Sequence, residues 1–182
     1  IDDIKSVEIT THESAIRIIS KVGELNNPAD RDHCLQYMVA IGLLKGNLVA
    51  EDYEDDVAKD PRIDALRESM VINEDKRYSK EYLEADKRSI ANRIKIHFND
   101  GTSTEEVEVE YPIGHKRRRK EGIPVLEKKF KDNLAITYDE EVSNKIFDLC
   151  MNQQKLEQTS VIDFQLLLSN RFMQSNRRVN NN

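Results

Sequence analysis

At 182 residues, with 38% hydrophobic and 34% charged side chains, the chain is long enough for one core and polar for a globular protein. Its formal net charge of -6 runs against a dedicated nucleic-acid binder, whose domain-wide balance is basic. Two cysteines, Cys34 and Cys150, make no disulfide framework and read as reduced thiols on apolar helix faces. No apolar run has the length that a membrane-spanning helix needs.

The first residue is Ile1, not an initiator methionine, and a strand pattern starts almost at once, as expected of a fragment or a processed chain. Ile4, Val7 and Ile9 predict a strand. Ala15, Ile16, Ile18 and Ile19 fit a short helix that Gly23 stops. After the Asn27-Pro28 turn, Asp30 or Asp32 can cap a helix running to about Lys45, with Leu35, Met38, Val39, Leu43 and Leu44 as a broad apolar face. Gly46 is placed to end it. Asp60-Pro61 opens another helix, with proline at the tolerated first position and Ile63, Leu66 and Met70 on one side. Residues 73–89 are polar without clear periodicity and read as a long surface loop.

The clearest local pattern follows. Ile94, Ile96 and Phe98 alternate with polar residues up to Asn99-Asp100-Gly101, and Val107 and Val109 then alternate with glutamates, which predicts a β-hairpin. Pro124 is read as the start of an amphipathic helix carrying Val125, Leu126, Phe130 and Leu134. Two more helical patterns lie at about 139–156 and 160–172. The fold class is therefore α+β: a small antiparallel sheet with helices on one face over residues 1–135, and a helical arm over 136–172. Residues 173–182 form a polar tail expected to be disordered.

Chemistry concentrates in two places. Lys116 to Lys120 is an unbroken run of five cations in an acidic chain, preceded by His115 and bracketed by Gly114 and Gly122 inside Pro112 and Pro124. Most charge runs are solvated faces. The bracketing glycines and prolines point instead to a shaped segment that meets an anion. His33 stands in a predicted helix start, where an imidazole is useful for proton transfer or, more blandly, helps to cap the helix. Metal binding has little support, because His12, His33, His97 and His115 show no helical pairing and neither cysteine has a partner at CxxC spacing. No glycine-rich phosphate loop or nucleophile elbow is present.

Three segments together resemble the MmgE/PrpD family: residues 27–37 (NPADRDHCLQY), 60–67 (DPRIDALR) and 111–124 (YPIGHKRRRKEGIP), with 87–92 (KRSIAN) in support. The likeness runs in order from residue 1 to about 170 and matches only the C-terminal part of such proteins. It implies a hydro-lyase that dehydrates 2-methylcitrate to 2-methyl-cis-aconitate in propionate catabolism, with no cofactor and no iron–sulfur cluster. It also implies that residues 1–135 form a lid over a larger all-helical domain on which the C-terminal helices pack, with the site in the cleft. Such proteins are homodimers of the bacterial cytoplasm or the mitochondrial matrix, with no nucleic-acid or membrane partner.

On this resemblance His33 is the catalytic residue for proton transfer, and Arg31, Gly114, His115, Lys116 and Arg117 bind the tricarboxylate substrate. The chain alone is expected to lack turnover. Related decarboxylases use a tyrosine after the third helix, but residues 74–79 do not match that pattern, so Tyr78 receives no role. A non-catalytic tricarboxylate-binding or assembly module from the same family is the alternative. Nucleic-acid binding through Lys116–Lys120 is disfavoured by the net charge and the missing aromatic platform.

Overall fold

The computed structural model describes residues 1–169 and divides into two compact units, Ile1–Pro112 and a second from Ile113 onward. The tail expected at 173–182, and the last residues of the arm, lie outside the described residues.

In the first unit β1 (Ile4–Thr11) sits inside a four-stranded sheet of order β2-β1-β3-β4, with β2 at Met70–Glu74, β3 at Asn92–Phe98 and β4 at Val107–Val109. The pairs Val7↔Ile96, Ile9↔Ile94 and Ile94↔Val107 place one apolar row on a single face. The opposite face is polar, where Glu8 accepts from Asn73 at 3.0 Å and lies 3.5 Å from His97. The expected hairpin is β3–β4, turning through Gly101 at φ 87°.

The α+β class holds, but the sheet is mixed: β2 pairs parallel with β1 in the register Val7↔Met70 and Ile9↔Ile72. The chain between β1 and β2 is a helical crossover, and such a connection returns a strand in the same direction. The long loop read over 73–89 is instead the end of β2 followed by a helix, Lys76–Leu83, capped by the Asp75 carboxylate. The wholly buried Tyr78 anchors that helix, and burial pushes the Tyr78 hydroxyl up to about 12.

The crossover runs α1 (Glu13–Ile19), α2 (Pro28–Asp32), α3 (Leu35–Lys45), a 3-10 turn (Ala50–Tyr53), α4 (Asp55–Ala58) and α5 (Pro61–Glu68), and the Lys76–Leu83 helix is α6. Asp60 caps α5 ahead of Pro61, and Gly46 ends α3 in the left-handed conformation at φ 71°, both as expected. Tyr37, Ala40 and Ile41 of α3 pack with Cys34 against Ile63 and Leu66 of α5 to form the main core. Burying each isoleucine there contributes about 2–3 kcal/mol of apolar transfer.

The second unit holds a 3-10 turn (Lys116–Arg118), α7 (Arg119–Thr137), α8 (Glu140–Cys150), α9 (Gln153–Gln158) and α10 (Val161–Ser169). Phe130 and Phe147 meet at 5.7 Å between ring centres, and the Tyr138 hydroxyl donates to the Leu168 carbonyl at 3.0 Å. The helix read as starting at Pro124 begins five residues earlier, at Arg119. Pro124 is tolerated because it lies early in α7, where its missing N–H forfeits only the bond to the Lys120 carbonyl. The last two cations of the run therefore stand on a helix, not in a loop.

Candidate active site

The region around His33 is built by a break that the sequence reading did not foresee. A single helix to Lys45 was expected, capped by Asp30 or Asp32. The structure instead caps α2 with Asn27, whose Oδ1 accepts from the Asp30 N–H at 3.0 Å, and interrupts the helix at His33 and Cys34. Two inward-facing residues flank the interruption. Arg31 drives its guanidinium into the fold, donating to the Tyr53 carbonyl at 2.6 Å and pairing with Asp55 at 2.8 Å. Cys34 is fully buried and takes an extended backbone before α3 starts. Positions 31 and 34 would share one face of an unbroken helix, so their burial alone does not demand a break; the chain leaves the helix and turns where Cys34 takes its extended backbone.

That turn pushes Asp32 and His33 outward. The His33 side chain is 63% exposed, and its Nδ1 lies 2.5 Å from Asp32 Oδ1. A carboxylate only accepts, so the contact places a proton on Nδ1 and leaves Nε2 as the outward nitrogen. A neutral imidazole oriented this way presents a lone pair to whatever approaches.

Beside the His33 region, Tyr53 stacks on Tyr37 at 6.1 Å. Burial, with help from the nearby Asp32 and Asp52 charges, pushes the Tyr53 hydroxyl above its ordinary value.

The second candidate region lies in the other unit. His115 caps the 3-10 turn, its Nδ1 accepting from the Arg117 N–H at 3.2 Å, while its carbonyl accepts from the Arg118 N–H at 2.8 Å. Arg118 is committed to Glu121 at 2.7 Å, and this bond holds the Glu121 carboxyl below its ordinary value. Among the described residues Lys116, Arg119 and Lys120 have no ion pair, and all three are exposed. Arg119 and Lys120 occupy the first turn of α7, where the positive end of the helix dipole disfavours a cation and favours an anion. Gly114 is exposed with open space around it.

So the six residues singled out from sequence fall into two sets. Arg31 and His33 belong to the first unit, and Gly114, His115, Lys116 and Arg117 to the second. Five of the six are at or near the surface, whereas Arg31 is only 5% exposed and its charge is already engaged inside the fold. Asp32 is the partner bonded to His33 Nδ1, a role that the sequence did not assign to it. The signal available was the adjacent Asp-His pair itself. A groove of about 340 Å³ bounded by Ile9, Leu35, Val39, Ile94 and Val107 is apolar, the wrong lining for a tricarboxylate.

Among the described residues no group of three or more His, Cys, Asp or Glu side chains is arranged to hold a metal ion. No described helix is long and apolar enough to cross a membrane.

Residues 1–153 match the MmgE/PrpD C-terminal domain. The chain belongs to the MmgE/PrpD family. Its relatives in the family carry one recurring name. It is 55% identical over 162 residues to "2-methylcitrate dehydratase" of Escherichia coli, covering 89% of this chain and 34% of the relative. It is 57% identical over 145 residues to "2-methylcitrate dehydratase, mitochondrial" of Yarrowia lipolytica, covering 80% and 28%. It is 39% identical over 166 residues to "2-methylcitrate dehydratase-like protein oryR" of Aspergillus oryzae, covering 90% and 33%. The chain thus spans about a third of the length of the family members it matches.

Proposed function

We propose that this protein is a hydro-lyase converting 2-methylcitrate to 2-methyl-cis-aconitate in propionate catabolism, with this chain supplying part of its site. The Asp32–His33 pair is the observation that carries the reading, and the names of the relatives at 55% and 57% identity point the same way. In the reaction a C–H bond beside a carboxylate breaks, its electrons form the C=C bond, and the neighbouring C–O bond breaks with its electrons on oxygen; the departing hydroxide takes up the released proton and leaves as water. His33 takes the proton on Nε2 while Asp32, bonded to Nδ1, stabilises the imidazolium that results. Proton loss next to a carboxylate builds a further negative charge, which fixed cations stabilise. Gly114, His115, Lys116 and Arg117 supply that environment and hold the substrate carboxylates. Arg31, already bonded to Tyr53 and Asp55, serves by holding the turn that presents His33.

The proposal includes no cofactor and no iron–sulfur cluster, as the family resemblance implies. It includes a homodimeric full-length enzyme in the bacterial cytoplasm or, as the name of the Yarrowia relative suggests, the mitochondrial matrix. A single assay tests it. The protein as encoded in its gene is mixed with 2-methylcitrate and the conjugated product is followed by ultraviolet absorbance, alongside His33→Gln. Turnover that falls about 10²- to 10⁴-fold in the variant supports the reading. Absence of turnover in the parent protein, or an unchanged rate in the variant, removes it.

A further inference from the structure

The two glycines that bracket the cationic run are not equivalent. A Cβ added at Gly114 would meet nothing within 4 Å. A Cβ added at Gly122 would lie 2.3 Å from the carbonyl oxygen of Ile113 and 3.3 Å from its carbonyl carbon. Gly122 is buried early in α7, and Ile113 is the residue directly before Gly114–Arg117. A backbone carbonyl cannot swing aside as a side-chain tip can. Any L side chain at position 122 therefore displaces the Ile113 peptide or the start of α7 by about 1 Å, the shortfall from an ordinary carbon-to-carbonyl contact. A hydrogen in the same place lets the helix backbone rest on that carbonyl.

We infer that Gly122 is a positioning residue: it sets where the Ile113–Arg117 segment lies against α7. The segment is then held at three points. Its start rests on Gly122, the Arg117 N–H is fixed by His115 Nδ1, and the Arg118 N–H is fixed by the His115 carbonyl. Gly122 has no side chain with which to touch a ligand, so its effect on catalysis passes wholly through the residues it places. That effect rests on the proposed role of Gly114–Arg117 in holding the substrate, whereas the placement itself does not. A displacement of about 1 Å in substrate-holding groups is enough to cost about 10- to 100-fold in rate or affinity.

The test is Gly122→Ala in the protein as encoded, with amide hydrogen exchange over residues 113–117 and steady-state kinetics on 2-methylcitrate. Gly42→Ala is the control, since a Cβ there also meets nothing within 4 Å and alanine favours the helix. The expected result is faster exchange over 113–117 in Gly122→Ala alone, with KM raised about 10-fold or more and kcat changed less. Unchanged exchange with an unchanged KM overturns the inference. Faster exchange with an unchanged KM upholds the placement and sinks the substrate role of the segment, so the two readings fail separately. If Gly122→Ala does not fold while Gly42→Ala does, exchange is read in the parent protein, where slow exchange at the Arg117 and Arg118 amides upholds the fixed segment and unprotected exchange at both overturns it.

Discussion

Arg31 and His33 are two residues apart and have opposite fates: Arg31 sinks its guanidinium onto the Tyr53 carbonyl and Asp55, while His33 stands 63% exposed with Nδ1 against Asp32. The turn that hides Arg31 is also the turn that projects the imidazole. On the proposed mechanism this relationship separates contributions to stability from contributions to chemistry within one tripeptide.

Asp32→Asn isolates the chemistry. An asparagine can offer its N–H₂ to His33 Nδ1, which then holds no proton and turns the protonated nitrogen outward. A base becomes a donor. On the proposed mechanism kcat is expected to fall about 10²- to 10⁴-fold, by analogy with the loss of an orienting carboxylate elsewhere. The melting temperature is expected to move little, since both side chains are exposed. A kcat within twofold of the parent would reduce Asp32 to a surface residue.

Arg31→Met isolates the stability. It removes a charge-assisted bond to the Tyr53 carbonyl, worth about 2 kcal/mol, and frees Asp55, which at 72% side-chain exposure resolvates readily. For a chain of this size the expected drop in melting temperature is about 4–8 °C. Calorimetry on the variant checks it, and an unchanged midpoint would mean that the Arg31 bonds contribute nothing net.

Gly114→Ala asks whether that glycine serves the fold or the ligand. Its φ is ordinary and an added methyl meets nothing, so stability is expected to stay within about 0.5 kcal/mol of the parent. If the space is kept open for substrate carboxylates, KM for 2-methylcitrate rises severalfold. Parallel thermal melts and initial-rate curves give both numbers, and an unchanged KM removes Gly114 from the binding set.

What was legible in the sequence had short-range physical causes. The β3–β4 hairpin carries its period of two and Gly101 in the turn, and α5 carries the Asp60-Pro61 start; the hairpin and that start folded where they were read, but α5 ends at Glu68 and Met70, read on its face, opens β2. The helix break at His33 was not legible, because no glycine or proline stands between Arg31 and Leu35 to mark it. Strand β2 and α6 were missed because their stabilisation is tertiary: β2 is fixed by its parallel register with β1, and α6 by the wholly buried Tyr78 and the stack of Tyr82 on His12. Pro124 misled because proline is favoured at a first helical position, whereas here it sits in the second turn of α7 and leaves the Lys120 carbonyl without its helical bond. Of the candidate site, residue types were readable, but Asp32 as the orienting partner and Gly122 as the resting place of the Ile113 carbonyl needed coordinates.

His12 gives a stability prediction with a defined sign. It caps α1, its Nδ1 accepting from the Ala15 N–H at 3.2 Å, and its ring is stacked on Tyr82 at 4.3 Å in a buried position. Burial lowers its pKa below the ordinary 6.5, with the neighbouring Glu13 carboxylate opposing in part. In the unfolded chain the imidazole takes up a proton as pH falls through 6.5, while in the folded chain it resists until a lower pH. The unfolded state therefore binds more protons in that window, and stability is expected to be full above 6.5 and to decline as pH falls below it. His12→Asn keeps a side-chain acceptor suited to a helix cap but has nothing to titrate. Urea midpoints measured from pH 7.5 down to pH 5 are expected to slope downward in the parent and less steeply in the variant. Parallel slopes in the two proteins would show that His12 contributes no proton linkage to folding.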